Sequence, residues 1–250
     1  MKRSMWSNSP PSLSISGGEV HVWRAGLEPA PHVQQRFFET LDEDEQTRAS
    51  RFHFDKHRRR FVMGRGVLRS LLGRYLDVRA EDVRFTYGPY GKPALDTLHG
   101  AGALRFNASH SHELAVYAFA RDQDVGIDVE HIKEDFATEE IAERFFSRYE
   151  VEALRELPPG EQAAAFFRCW TRKEAYIKAF GSGLSHPLDQ FDVTLAPGEP
   201  AALLRDHRDP EAINHWQMFD LDLPTGYAGA LAVAAVGVKL IQFVAEEPLA

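Results

Sequence analysis

The chain has 250 residues, of which 44% are hydrophobic and 26% are charged. This composition is typical of a globular protein with room for one large domain or two of about 120 residues, and it excludes a disordered chain, a collagen-like repeat and a coiled coil. The single cysteine, Cys169, allows neither an internal disulfide nor a cysteine-based metal cluster. We therefore expect a reducing compartment, the cytoplasm.

The charge is distributed unevenly along the chain. The net charge is −8, but between Arg48 and Arg74 nine basic residues stand against one acidic residue, so this segment carries +8 and the remainder −16. An acidic protein with one basic segment attracts a small polyanion locally and repels an extended one. We therefore expect a compact phosphate-rich ligand and no nucleic acid, although a solvated helix face would also explain most of these arginines.

No segment predicts a membrane span or a secretory signal. The longest run free of charged or polar side chains apart from one tyrosine, 226–238, is shorter than the roughly 18 to 20 residues of a membrane helix. Residues 1–18 lack an apolar core, and we predict a loose, disordered tail there.

Apolar periodicity and turn residues predict mixed helices and strands in chain order. The predicted strands are 20–23, 83–87, 104–107, 114–120, 126–130, 191–195, 215–220 and 228–238. The predicted helices follow the acidic run 39–45 and then cover 54–76, 139–157 and 162–180. The apolar string 114–120 resembles 231–237 at an offset of 117 residues. This similarity indicates a duplicated α/β unit, with subdomains 19–125 and 126–245 and a ligand cleft between them.

Three carboxylates and a lysine stand out in the second half of the chain. Asp128 and Glu130 share one face of a strand because side chains alternate along it, and a hard cation such as Mg²⁺ would balance their charges; a solvated edge strand is the alternative. On helix 162–180, 100° per residue places Glu174 at about 80°, inside the apolar stripe, and Lys178 at about 120°, at its edge. Glu174 is thus either one half of an ion pair with Lys178 or a third metal ligand beside a phosphate-binding lysine.

Two short segments could bind an anion. Ser109 and His110 fall in the predicted turn between strands 104–107 and 114–120, and Gly91 and Lys92 fall in the turn 88–93. No segment has the spacing of a nucleotide-binding P-loop.

Six motifs together resemble those of the Sfp-type 4'-phosphopantetheinyl transferases. They are Tyr-Gly-Lys-Pro at 90–93, Phe-Asn-Ala-Ser-His-Ser at 106–111, Gly-Ile-Asp-Val-Glu at 126–130, Arg-Phe-Phe-Ser at 144–147 with Glu150, Trp-Thr-Arg-Lys-Glu-Ala-Tyr-Ile-Lys at 170–178 and Gly-Ser-Gly-Leu-Ser at 181–185. The resemblance extends from about residue 20 to about residue 238. It implies an α+β fold of two similar subdomains related by pseudo-twofold symmetry, with coenzyme A bound between them.

The resemblance also implies a reaction and a partner. The 4'-phosphopantetheine group of coenzyme A would move to a serine of an apo acyl carrier protein or peptidyl carrier domain, leaving adenosine 3',5'-bisphosphate. The enzyme is expected to be a monomer.

The resemblance further implies a role for each site residue. Asp128, Glu130 and Glu174 would hold Mg²⁺ or Mn²⁺, and Lys178 would stabilise the leaving group. Glu150 would be the general base, unless a metal-bound water takes that part.

The remaining implied contacts concern coenzyme A. Its phosphates would meet Ser109, His110 and Arg48, and its adenine and 3'-phosphate end would meet Tyr90, Gly91 and Lys92. Some relatives carry a second basic residue where this chain has Glu45, so the 3'-phosphate contacts stay open.

Two other functions compete with the transferase. A metal-dependent nuclease also uses acids on a strand with a Glu and a Lys, but Glu174 and Lys178 have helical spacing and the net charge opposes a long polyanion. A module that binds coenzyme A or a carrier protein without catalysis is the non-enzymatic alternative.

Overall fold

The computed structural model describes residues 5–28, 30–88, 91–99, 103–133, 138–181 and 186–245. Its helices are α1 (Pro31–Glu39), α2 (Glu43–Ser50), α3 (Asp55–Leu76), α4 (Thr138–Phe145), α5 (Arg148–Arg155) and α6 (Pro159–Phe180). Its strands are β1 (Trp6–Asn8), β2 (Glu19–Gly26), β3 (Phe85–Tyr87), β4 (Pro93–Leu95), β5 (Leu104–Ser111), β6 (Leu114–Arg121), β7 (Val125–His131), β8 (Phe191–Val193), β9 (Leu203–Asp206), β10 (Gln217–Asp220), β11 (Tyr227–Val233) and β12 (Lys239–Val244). The predicted α+β class is confirmed.

The molecule is built around two larger sheets, each covered by a long helix, and has two further two-stranded sheets, β3-β4 and β8-β9. The N-terminal lobe holds α1–α3 and a five-stranded sheet in the order β1-β12-β2-β6-β5; the C-terminal lobe holds α4–α6 and a three-stranded sheet in the order β10-β11-β7. Alternating side chains of β6 divide between two cores: Tyr117 and Phe119 pack toward α3, whereas Val116 and Ala118 pack against β7 and β11. The layers therefore run helix, sheet, sheet, helix.

Both lobes share one connectivity. A first strand leads to a long helix and then to two further strands, which gives β2, α3, β5 and β6 in one lobe and β7, α6, β10 and β11 in the other. The third strand of each set lies in the middle, in the orders β2-β6-β5 and β7-β11-β10. This agrees with the duplicated unit expected from the sequence. The last strand, however, returns to the N-terminal lobe, where β12 lies between β1 and β2.

The expectation of a loose tail over residues 1–18 is wrong for residues 5–18. Strand β1 pairs in parallel with β12, with Trp6 opposite Gln242. The Trp6 side chain is 8% exposed and its Nε1 donates to the backbone oxygen of Asp222. Further along, the Arg74 guanidinium donates to Ser9 Oγ. The N-terminal segment thus closes one edge of the larger sheet.

Replacing Trp6 by alanine should lower the free energy of unfolding by about 3 kcal/mol, since it removes a large buried ring and leaves a cavity. Urea denaturation measures this change. Ser7→Ala is the matched control, because Ser7 is exposed on the same strand, and it should leave the transition almost unchanged. If Trp6→Ala unfolded at the same urea concentration as Ser7→Ala, the buried Trp6 ring would contribute no stability.

Three element boundaries differ from the prediction for local reasons. The predicted helix 139–157 is split into α4 and α5, because Ser147 caps a new helix by accepting a hydrogen bond from Glu150 N. The predicted strand 228–238 ends at Val233. Gly237 has a φ of 71°, a left-handed backbone conformation that separates this strand from β12. Strand β5 continues to Ser111, so Ser109 and His110 lie in a strand and not in a turn. Strands β1, β4, β9 and β12 and helix α1 were not predicted.

No helix within the described part of the chain combines the length and the apolar character required to cross a bilayer.

Candidate functional site

The two lobes meet where β5 lies beside β7. These strands are joined through side chains: Asn107 Oδ1 accepts from Ile127 N at 2.9 Å, and Ser111 Oγ accepts from His131 N at 3.1 Å. Asn107, Ser109 and Ser111 alternate along β5 and therefore share a face. This polar face of β5 forms one wall of the site.

The opposite wall is α6, and Gly126 allows it to come close. A Cβ at position 126 would lie 2.0 Å from Ala175 O and 2.4 Å from Ala179 N, both on α6. Only glycine permits this contact between β7 and the helix. The close approach brings Asp128 and Glu130 of β7 to the same cavity as Glu174 and Lys178 of α6.

Asp128 lies at the centre of this arrangement. Its side chain is 3% exposed, and its Oδ1 accepts hydrogen bonds from Ser109 Oγ at 2.7 Å and from Lys178 Nζ at 2.5 Å. Its other oxygen, Oδ2, is buried and has no hydrogen-bond partner. Because a buried carboxylate oxygen rarely stays unpaired, Oδ2 is an open ligand position.

The charges around the cavity are strongly coupled. Burial, the negative charge of Asp128 and, more weakly, that of Glu130 raise the pKa of Glu174 to about 7, although Lys178 opposes them. Burial and the Asp128 charge also raise the pKa of Glu130, against the hydrogen bond from Ser111. Burial alone would lower the pKa of Lys178, but the surrounding carboxylates outweigh it and raise the pKa. The cavity thus holds more negative charge than one lysine balances.

This carboxylate cavity has a volume of about 430 Å³. Among the described residues, no three His, Cys, Asp or Glu side chains lie close enough to hold a metal ion as they stand. The donor set is nevertheless oxygen-only, includes the unpartnered Asp128 Oδ2, and carries excess negative charge. These properties fit a hard divalent cation.

A second cavity of about 220 Å³ adjoins the first, and the two share Ala108, Ser109 and His110. Arg48 and Arg60 line it, and the Arg48 guanidinium lies 5.2 Å from the centre of the Phe61 ring. Burial, followed by the positive charges of Lys178 and Arg60, lowers the pKa of His110. This second cavity, called the arginine cavity below, therefore favours an anion.

Glu150 is not at the site. Its side chain is fully buried and lies 2.7 Å from Lys173 Nζ. Its carboxylate oxygens also accept from Ser147 N at 2.9 Å and from Val193 N at 2.8 Å. The predicted role as general base is corrected here, because Glu150 caps α5 inside the core of the C-terminal lobe and lines neither of the two cavities.

Lys92 also differs from its predicted role. Its ammonium donates to the backbone oxygens of Lys178 at 2.7 Å and Ala179 at 2.8 Å, at the end of α6. Lys92 thus joins a loop of the N-terminal lobe to the helix that carries Lys178, and these bonds occupy the ammonium that was expected to bind phosphate. Gly91, next to Lys92, has a φ of 77°, which glycine adopts readily. Tyr90 lies outside the described residues.

Lys92→Met should reduce stability in a pH-dependent way. Burial lowers the pKa of Lys92 from 10.5 to about 8, while Asp124 acts in the opposite direction. The unfolded chain therefore binds this proton more tightly, and Lys92 contributes increasing stability as the pH rises from 8 toward 10.5. Urea unfolding at about pH 7.5 and about pH 9.5 should show a larger gap between wild type and Lys92→Met at the higher pH. Lys239→Met, at an exposed lysine, is the control; a gap that does not change with pH would contradict the expectation.

Glu45, where the resemblance left the 3'-phosphate contacts open, has its partners inside the protein. Its carboxylate is buried and accepts from Arg65 Nε at 2.6 Å and from Arg69 Nε at 2.5 Å. Asp42 also pairs with Arg69, so two acids balance these two arginines of the basic segment within the protein.

The structure also brings Arg60 to the arginine cavity, and Ser111 Oγ donates to Glu130 Oε2 at 2.8 Å; the sequence assigned neither residue a role. The alternation of polar residues at 107, 109 and 111 was the available signal for Ser111, whereas Arg60 had none among its neighbouring arginines.

Comparisons with known proteins agree with this architecture. Residues 124–234 match the model of the 4'-phosphopantetheinyl transferase superfamily, and residues 25–122 match the model named 4'-phosphopantetheinyl transferase, N-terminal. The chain is 40% identical to 4'-phosphopantetheinyl transferase HetI of Nostoc sp. over 95% of this chain and 97% of that protein. It is 34% identical to 4'-phosphopantetheinyl transferase Sfp of Bacillus subtilis over 74% of this chain and 80% of that protein. The chain belongs to the 4'-phosphopantetheinyl transferase superfamily.

Proposed function

We propose that the protein transfers the 4'-phosphopantetheine group of coenzyme A to a serine of an apo acyl carrier protein or peptidyl carrier domain. The observation that carries this proposal is the contact of Lys178 with Asp128 and Ser109, in a cavity that also holds Glu130 and Glu174. A diphosphate group needs such a combination of a cation and metal-ligating carboxylates. The activity named for HetI and Sfp supports the same function.

In the proposed reaction, the serine oxygen of the carrier attacks the β-phosphorus of coenzyme A. The new P–O bond forms as the bond to the bridging oxygen breaks, and adenosine 3',5'-bisphosphate leaves with the electron pair. Lys178 stabilises the negative charge that develops on this leaving group. Because Glu150 is enclosed in the core, the proton of the serine passes to water in the cavity.

Asp128, Glu130 and Glu174 would hold Mg²⁺ or Mn²⁺, which would neutralise charge on the diphosphate when bound. Without a cation, the negative charges of Asp128 and Glu130, which add to burial in raising the pKa of Glu174 to about 7, would repel the same diphosphate. The carboxylates and Lys178 therefore have complementary roles. The lysine contacts phosphate directly, whereas the carboxylates act through the cation.

One assay separates the three candidate functions. The protein is incubated with coenzyme A, Mg²⁺ and a panel of apo carriers, and the carrier mass is measured. Gain of a phosphopantetheine group, abolished by a chelator and restored by Mg²⁺, is the expected result. Cleavage of added DNA would instead support a nuclease, and tight binding of coenzyme A without modification of any carrier would support a non-catalytic module. The panel also identifies which carrier class is served.

A further inference from the structure

Two serines of β5 face the two acids of β7 where the lobes meet. Ser109 Oγ donates to Asp128 Oδ1 at 2.7 Å, and Ser111 Oγ donates to Glu130 Oε2 at 2.8 Å. Both pairs span 19 residues, because the strands run side by side in the same direction and side chains on one face recur at every second residue. Each strand is the edge of its own sheet. The N-terminal lobe therefore holds the carboxylates that the C-terminal lobe offers to a cation.

The hydroxyl of Ser111 has a fixed orientation. Its oxygen accepts a hydrogen bond from His131 N at 3.1 Å, so Ser111 contacts both the backbone and a side chain of β7. A hydroxyl carries one proton, and an ionised carboxylate can only accept hydrogen bonds. The proton of Ser111 therefore lies on the bond to Glu130. This bond restrains one carboxylate oxygen and leaves the other for a cation.

Ser111 acts on the site indirectly, in contrast to Ser109. Ser109 lines the carboxylate cavity and also accepts from Lys178 Nζ at 3.1 Å, so its removal would disturb several contacts at once. Ser111 is not among the residues that line this cavity. Within the described part of the chain, its hydroxyl reaches the cavity only through Glu130. A substitution at Ser111 therefore changes the support of one carboxylate and leaves the lining of the cavity in place.

We propose that Ser111 is a positioning residue that raises the affinity of the carboxylate cavity for a divalent cation by orienting Glu130. The inference rests on the proposed function, since it takes the cation to bind among Asp128, Glu130 and Glu174. A group that hydrogen-bonds a metal ligand typically contributes roughly 10- to 100-fold in metal affinity. The physical reason is that a carboxylate already restrained loses less freedom when it binds the cation.

The test measures Mn²⁺ binding from the electron paramagnetic resonance signal of free Mn²⁺, with wild type, Ser111→Ala, Ser111→Thr and Ser7→Ala. Each protein is titrated alone and with saturating coenzyme A, without a carrier, so that no group is transferred. Ser111→Ala should weaken Mn²⁺ binding by roughly 10- to 100-fold. Ser111→Thr keeps the hydroxyl and should bind nearly as well as wild type. Ser7→Ala is the matched control, because it removes an exposed serine from β1 of the same sheet, and it should bind as wild type does.

Carrier modification separates positioning from general support of the fold. With Ser111→Ala, the Mg²⁺ concentration for half-maximal transfer should rise by a similar factor, while the rate at saturating Mg²⁺ should approach that of wild type. A purely structural hydroxyl would instead lower the urea midpoint and leave the Mn²⁺ affinity of the folded protein unchanged, and this result would overturn the inference. A wild type that binds no Mn²⁺, either alone or with coenzyme A, would overturn it too.

Ser111→Cys serves if Ser111→Ala folds poorly, because a thiol has a similar shape but donates a hydrogen bond only weakly. It should weaken Mn²⁺ binding in the same direction, and unchanged binding would count against the inference. The proposed function fails in a different way. A wild type that binds Mn²⁺ in a Ser111-dependent manner but modifies no carrier of the panel would contradict the transfer reaction and leave the role of Ser111 intact.

Discussion

Asp128→Asn is expected to lower the rate of phosphopantetheine transfer by about 100- to 1000-fold, the range seen when a preorganised group for transition-state charge is removed. The substitution keeps the shape of the side chain but removes the charge that faces Lys178 at 2.5 Å and the unpartnered oxygen Oδ2. Both the lysine position and the proposed cation site depend on that charge. The measurement is single-turnover modification of an apo carrier at saturating coenzyme A and increasing Mg²⁺.

The matched control for this experiment is Asp122→Asn. Asp122 is exposed just before β7 and has a φ of 58°, which asparagine tolerates well. It should retain the full rate. If Asp128→Asn also retained its rate at low Mg²⁺ while folding normally, Asp128 would have no part in holding a cation.

Glu150→Gln is expected to destabilise the fold by about 3–5 kcal/mol, the usual result of breaking a buried ion pair and leaving one charge unpaired. Glu150 and Lys173 are both fully buried, so water cannot solvate the remaining ammonium. Thermal and urea unfolding measure the loss of stability. The rate of transfer per folded molecule should change little, because the carboxylate lines neither of the two cavities.

Two further variants make this prediction specific. Glu152→Gln changes the same residue type on the same helix, but its ion pair with Arg148 is exposed, so we expect almost no effect. Combining Glu150→Gln with Lys173→Met removes the unpaired charge and should recover part of the stability. A Glu150→Gln protein of normal stability but without transfer activity would restore Glu150 as the general base.

The sequence predicted the site best where local periodicity determines the face of a strand or helix on which a side chain lies. Alternation along β7 places Asp128 and Glu130 on one face, and 100° per residue along α6 places Glu174 and Lys178 on the side that faces β7. The structure brings these four side chains to one cavity. Prediction was weaker for Ser109 and His110, because the sequence around them is polar enough to resemble a turn, whereas β5 continues through them to Ser111.

The errors concern residues whose partners are distant in the chain. Glu150 was assigned to catalysis, but its oxygens pair with Lys173 Nζ and accept a hydrogen bond from Val193 N. A local sequence pattern does not predict contacts between residues so far apart in the chain. Lys92 was assigned to phosphate, but its ammonium meets backbone oxygens about 86 residues away. Strand β1 was missed because three residues gain order only from the sheet edge that β12 presents.

By itself, the sequence determined the α+β class, the faces of β7 and α6, and the motifs that resemble the transferase family, since each depends on residues a few positions apart. The tertiary structure alone decided which charged groups are available to a ligand. A buried charge must be paired, and its partner is selected by packing. Glu45 and Asp42 pair with Arg65 and Arg69, Lys173 pairs with Glu150, and the end of α6 binds Lys92. The net charge of −8 therefore describes the chain as a whole. At the two cavities, Asp128 and Arg60 each keep one buried polar atom without a hydrogen-bond partner.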